Sequence, residues 1–434
     1  MIILPSLEIV PAKYDGSTLL SQIPIDGTGD FTVTRATTPT ADRSTRVNAL
    51  GFIETVANNL PRLDYPIGGG CPALLVEPAA TNGIRNNSMV GAVAGSPGTM
   101  PTNWGTALSG LTRTVVGTGT ENGVAYLDIR FNGTATGTAI AIAYDANTII
   151  AALQNQVWTH SVYARFTANV LNMPSLRVGM YEFNSGGTYL TEGFGSGVTL
   201  TSNLTRLSFT RTLTNASTAF VGAILQMPIV NGTSYDFTIR IGYPQMEQSS
   251  VATSVIPTTT AAITRGADVI TDTTATALIG QTEGTIYFEA QCTTPSDFSD
   301  IIRIEGAGSN NINIIQTASN AYRMDLQASG VTRTIISTTT GVTGFAKIAI
   351  AYKTNELAIS VNGGAPTTAA LSFTFNGALT TIRIAHANYT ALRPYRLRAA
   401  ALYTTSLTDT QLALLTSPYT SYSSMASALS YTLG

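Results

Sequence analysis

Apolar and polar residues alternate with a period of two through much of this chain. Tyr235, Phe237, Ile239, Ile241 and Tyr243 fall on one side of a segment whose other side carries Asp236, Thr238 and Arg240. That is the pattern of a strand with one face on a core and the other in solvent. It recurs at Ile286-Phe288-Ala290-Cys292, at Tyr322-Met324-Leu326 and at Leu357-Ile359-Val361. Asn-Gly pairs stand at 122–123, 132–133, 231–232, 362–363 and 376–377, where glycine accepts the positive φ that tight hairpin turns require. Many short strands divided by such turns predict sandwiches or barrels. One helix is predicted: Thr408 and Gln411 form a capping box ahead of Leu412 and Leu415,.

The expected fold class is all-β, an N-terminal β-rich module followed by two tandem β-sandwich (jelly-roll) domains. Residues 1–88, rich in proline, form the module; residues 89–260 the first sandwich; residues 270–434 the second. Between the sandwiches runs Thr253-Ser254-Val255-Ile256-Pro257-Thr258-Thr259-Thr260. Its β-branched residues and proline predict an extended strap rather than a flexible linker. No short repeat suggests a solenoid.

Composition narrows the function classes. Charged residues make up 11% of the chain, against ~25% in ordinary soluble domains. Hydrophobic residues reach 44%, so the chain has the means to fold throughout. Few charges and a mean hydropathy of +0.18 predict that subunit contacts cover part of the surface, hence a homo-oligomer. A net charge of −2 and lysines only at 13, 347 and 353 argue against nucleic acid, which demands a basic face. The longest apolar runs, such as Ala346 to Tyr352, are far short of the ~18 residues of a membrane helix, and Met1 to Val10 lacks a signal-peptide pattern. Cys71 and Cys292 are expected to be two buried small hydrophobes, not a disulfide. No cofactor or metal is expected, since two thiols and two histidines so far apart have no zinc-site spacing.

The first ninety residues carry an ordered series: Gly29-Asp30-Phe31-Thr32-Val33-Thr34-Arg35, Thr45-Arg46-Val47-Asn48, Gly51-Phe52-Ile53-Glu54, Pro61-Arg62-Leu63-Asp64-Tyr65, and Cys71 through Asn82 with Leu74-Leu75-Val76-Glu77-Pro78 at its centre. This series resembles the N-terminal module of tail-fibre-like and other virion surface proteins of tailed bacteriophages. Lys347 to Tyr352, Leu357 to Gly363 and Leu397 to Leu412 look like the concanavalin-A-like, laminin-G-like jelly roll. Asn103-Trp104, Trp158 to Ala164 and Gly242 to Glu247 look like a carbohydrate-binding-module-type jelly roll. The resemblance implies a structural or adhesion protein at the virion surface, a tail fibre, head fibre or capsid decoration. It also implies docking to other virion proteins through the module, trimers if it is a fibre, and host-surface glycans as ligands.

Candidate chemistry is sparse. Gly193-Phe194-Gly195-Ser196-Gly197 sets its serine one place late for a nucleophile elbow,. Gly117 to Gly123 lacks the lysine and helix of a phosphate loop and reads as a hairpin turn,. His160 and His386 read as structural. Glycoside hydrolysis would need two convergent carboxylates, for which Glu182, Glu192, Asp236 and Glu289 are the candidates,. Asp297 with Asp300 is the nearest approach to calcium-ligand spacing,. A sugar site needs an aromatic platform with amide and carboxylate groups beside it. Tyr181, Glu182, Asn184, Tyr189 and Phe194 supply those groups, as do Asn388, Tyr389 and Tyr395. The expected function is non-enzymatic adhesion; the alternatives are a purely architectural virion protein or a glycan depolymerase.

Overall fold

In the computed structural model, residues 4–35, 44–66, 69–292, 299–385 and 394–418 are described. The chain is all-β, as the alternation predicts, with one short α-helix, Asp409–Thr416, and one 3-10 turn, Ala275–Leu278, among the described residues. The α-helix closes both halves of the predicted box: Gln411 N donates to Thr408 Oγ1, and Thr408 N to Gln411 Oε1. Leu412 seats it on the neighbouring sheet.

The first sandwich stacks a five-stranded sheet on a six-stranded one. The five run in the order Thr112–Glu121, Val124–Thr134, Ser234–Glu247, Val157–Leu171, Thr205–Thr212. The six include Gly105–Ala107, Ala139–Ala143, Phe220–Pro228, Arg177–Phe183 and Tyr189–Phe194, with Ile150–Ala151 beside Phe220–Pro228. Phe131, Phe237, Ile239, Trp158, Ile142, Met180 and Leu225 fill the space between them. Asn122-Gly123 turns the first hairpin, with φ of 51° and 80°. Asn132-Gly133 does not turn; it lies inside strand Val124–Thr134, paired with Asp236 and Tyr235. Tyr243 also departs from its expected face. A bulge opposite Ser161–Tyr163 and a φ of 40° at Tyr243 break the alternation, so Met246 rather than Tyr243 re-enters the core.

The second sandwich is built from both ends of the chain. Glu283–Cys292 pairs on one side with Ala346–Lys353 and on the other with Tyr395–Tyr403. Along the far edge of Tyr395–Tyr403 lie Leu7–Ile9 and Ala73–Val76, so that Leu7 faces Leu402 and Leu74 faces Leu397. In the opposing sheet, Phe31–Thr34 pairs with Val269–Asp272. Leu7, Ile9, Phe31, Val33, Leu74 and Val76 share one core with Ile286, Phe288, Ile348 and Leu397.

A buried ionic knot fastens these parts. Arg62 binds Glu77 at 2.6 Å through one terminal nitrogen and Asp268 through the other. Arg35 reaches Asp268 at 2.8 Å, and Arg265 reaches Glu77 at 3.0 Å. Glu247, also buried, accepts from Thr253 and Gln245. Burial opposes charge on Glu77, but Arg265 and Arg62 outweigh it and hold the carboxyl well below the usual range. Burial likewise acts on Asp268 and is overcome by Arg62 and Arg35. Ser254 of the strap closes the knot, its hydroxyl 2.6 Å from Glu77. The strap is held by amide side chains too: Asn82 and Asn87 each donate to the Ile256 carbonyl.

Neither cysteine is fully buried, contrary to expectation: Cys71 is exposed and Cys292 half-buried, and no disulfide joins them. Cys71 follows Gly69 and Gly70 and precedes strand Ala73–Val76.

Candidate functional site

Strand Arg177–Phe183 divides its residues between two faces. Val178 and Met180 enter the core, which leaves Arg177, Gly179, Tyr181 and Phe183 on the outer face of the six-stranded sheet,. Register then sets the rows. Ala143, Ile224, Gly179 and Phe194 lie side by side; Gly222, Tyr181 and Glu192 form the next row, and Phe220, Phe183 and Tyr189 the third. Small residues make room for rings. A Cβ on Gly179 would run into the Phe194 ring, and one on Gly222 would stand 2.9 Å from Phe183 Cε2.

Three predicted residues meet here. Tyr181 packs edge-on against Tyr189 at 5.4 Å between centroids and against Phe194 at 6.0 Å, within the range that favours T-shaped pairs. Arg177 places its guanidinium 4.9 Å from the centre of the Phe194 ring, a cation–π distance. Tyr189 is 50% exposed, and Tyr181 and Phe194 are half-buried. Burial and the Glu192 carboxylate push both the Tyr181 and Tyr189 phenols up, so each remains a neutral O–H donor at physiological pH. The face therefore offers ring surfaces, two phenols, a carboxylate and a guanidinium. Arg177 was not a sequence candidate, and Glu192 was one only as a hydrolytic acid. Counting in twos from Tyr181 and following the hairpin finds both.

Glu182 and Asn184 take other parts. Glu182 points inward and is fully buried. Its carboxylate accepts from Thr214 N, Asn215 N and the Thr218 hydroxyl and pairs with Arg211 at 2.7 Å. It ties down the 213–218 loop and cannot read a sugar. Asn184 shapes the hairpin tip, where its Oδ1 accepts from Gly186 N and Thr188 N. Tyr395 belongs to the core of the second sandwich. It is fully buried, and its hydroxyl donates to the Ile301 carbonyl at 2.9 Å. Asn388, Tyr389, His386 and Asp297 lie outside the described residues. Asp300 accepts from Asn313, and among the described residues no group of three or more His, Cys, Asp or Glu side chains could hold a metal.

The four carboxylates weighed for hydrolysis stand apart. Glu182 and Glu192 occupy opposite faces of one sheet, Asp236 pairs with Arg130 on the other sheet, and Glu289 pairs with Arg398 in the second sandwich. His160 lies beneath the aromatic face. Its Nδ1 is 2.9 Å from the Gly179 carbonyl, to which it donates, and burial pushes its pKa down to about 4. It braces the strand that carries Tyr181.

No protein-family model matches this chain, and no curated protein is similar to it in sequence. Among solved structures, it is similar to the CBM40 of the IT-sialidase of Ruminococcus gnavus, at 15% identity over 33% of this chain and 88% of that one, with a TM-score of 0.29. It is also similar to the CBM22-1–CBM22-2 tandem of Paenibacillus barcinonensis Xyn10C, at 10% identity over 73% of this chain and 99% of that one, with a TM-score of 0.25. The receptor-binding domain of botulinum neurotoxin C/D mosaic serotype matches at 12% identity over 34% of this chain and 40% of that one, with a TM-score of 0.28. Likeness this remote carries no argument about function.

Proposed function

We propose that this chain is a non-catalytic adhesin whose first sandwich binds glycans on the face formed by Tyr181, Tyr189 and Phe194. The observation that carries this reading is the exposed ring cluster itself, seated on glycines and flanked by Arg177 and Glu192. A pyranose presents an apolar C–H face to a ring and hydroxyls to the polar groups at its edge. Phe194 and Tyr189 suit the first, Glu192, Arg177 and the phenols the second. The N-terminal resemblance supports a setting at the surface of a tailed-phage particle. There, several copies would raise avidity without any single tight site. A homo-oligomer, a trimer in a fibre, completes the proposal; light scattering on the purified chain tests it, and a stable monomer counts against it.

The glycan reading is tested by Tyr189→Ala and Phe194→Ala on a glycan array and on host cells. Loss of a stacking ring should weaken binding about tenfold. Tyr189→Ala should change stability by no more than about 0.5 kcal/mol, since the ring is half in solvent. Unchanged binding by both variants rejects this face. Particles that fail to assemble when Tyr189 is changed favour the architectural role instead.

A further inference from the structure

A recess of about 430 Å³ opens where the N-terminal strands, the strap and both sandwiches meet. That volume lies in the range of small-ligand sites, roughly 300–1,000 Å³. Its lining includes Arg46, Arg206, Arg396 and Arg398, with Tyr163 and Phe345 as aromatic walls. Arg398 stacks 3.5 Å from the Phe345 centroid, and Arg206 lies 5.7 Å from that of Tyr163. Three of the guanidinium groups are steadied by a carboxylate: Arg46 by Glu54 at 2.8 Å, Arg396 by Asp64 at 2.8 Å, Arg398 by Glu289 at 3.2 Å. Arg206 is held by neutral groups, the Thr253 carbonyl and the Ser161 hydroxyl. Glu77 also lines the recess, but within the buried knot Arg35, Arg62 and Arg265 match the charges of Glu77, Asp268 and Glu247 three for three.

Four cations against three carboxylates leave one positive charge over. Arg206 Nε and Arg398 Nε are also buried with no hydrogen-bond partner among the described residues. Arg396 binds Asp64 through Nε, which leaves its two terminal nitrogens for a bidentate acceptor, the geometry a carboxylate fits. We propose that this recess binds a monoanionic sugar acid, its ring between the aromatic walls and its carboxylate on Arg396. The site shares no residue with the outer face of the first sandwich, so it stands or falls separately from the adhesin reading.

Calorimetric titration of the full chain with glucuronate tests the proposal, with glucose and inorganic sulfate as probes of the ring and the charge alone. Saturable glucuronate binding that weakens with salt, with no binding of glucose, is the expected result. Arg396→Gln should lower glucuronate affinity about tenfold or more, through loss of the bidentate charge-assisted contact. Lys353→Ala, an exposed side chain outside the recess lining, should leave glucuronate affinity unchanged. Should Arg396→Gln fail to fold, Arg398→Gln, whose side chain is 38% exposed, makes the same test. Absence of saturable glucuronate binding would overturn the proposal. So would glucose or sulfate binding as tightly as glucuronate, or full affinity in a folded arginine variant.

Discussion

Arg62→Ala should cost about 3–5 kcal/mol of folding stability, the penalty for removing one partner from a buried ion pair. Among the described residues Arg62 is the one side chain paired with both Glu77 and Asp268, and all three are shut away from water. Without it, two carboxylates lie buried beside Arg35 and Arg265, with one hydrogen-bond fork fewer. The control is Lys353→Ala. Its partner Glu356 is 3.4 Å away, both groups are about half exposed, and an exposed pair contributes about 0–1 kcal/mol. Denaturant unfolding of both variants checks the contrast. A loss under about 1 kcal/mol for Arg62→Ala would mean that the knot is not a fastening. The same experiment reads coupling, since Arg62 comes from the N-terminal strands, Asp268 follows the strap, and Glu77 bonds to Ser254 within it.

Acidification should remove about 3 kcal/mol through His160 alone. Its folded pKa of about 4 lies below the ordinary 6.5 because burial disfavours the charged ring. The unfolded chain therefore takes up the proton first as pH falls. The full contribution is present above about pH 6.5, declines across the window down to about pH 4, and is flat below it. His160→Asn keeps a donor near the Gly179 carbonyl but does not titrate there, so its stability should vary less with pH across that window. The difference between the two proteins isolates His160 from Glu77 and Asp268, whose depressed carboxyls lose their contribution only at lower pH. It also isolates His160 from Glu247, whose carboxyl burial pushes up. Parallel pH profiles would reject the assignment. Loss of glycan binding along with stability would place His160 under the face it supports.

The candidate face is only partly legible in the sequence. Tyr181, Tyr189 and Phe194 were found because aromatics cluster in a glycine-rich stretch, and they do converge. Glu182 is adjacent to Tyr181, but alternation sends neighbouring residues to opposite faces, and it lies inward on Thr218 and Arg211. Tyr395 stands close to Asn388 and Tyr389 in sequence, and only pairing with Cys292 and Val76 on its two sides shows it to be central in its sheet.

By itself the sequence determined the local conformations: period-two strands, the Asn122-Gly123 turn and the Thr408–Gln411 cap. Each follows from forces acting within a few residues, the burial of one strand face, the positive φ of a turn, the orphan amides at a helix start. Tertiary structure alone decided that Leu7 lies against Leu402, that Tyr243 leaves the core at a bulge, and that Arg35, Arg62 and Arg265 gather around two acids. Those arginines stand singly in the chain, and apart from Asp268, three residues beyond Arg265, no acid near them in sequence marks the cluster. Their pairing exists because charges carried from water into a shared interior must find one another there, whatever the distance between them in sequence.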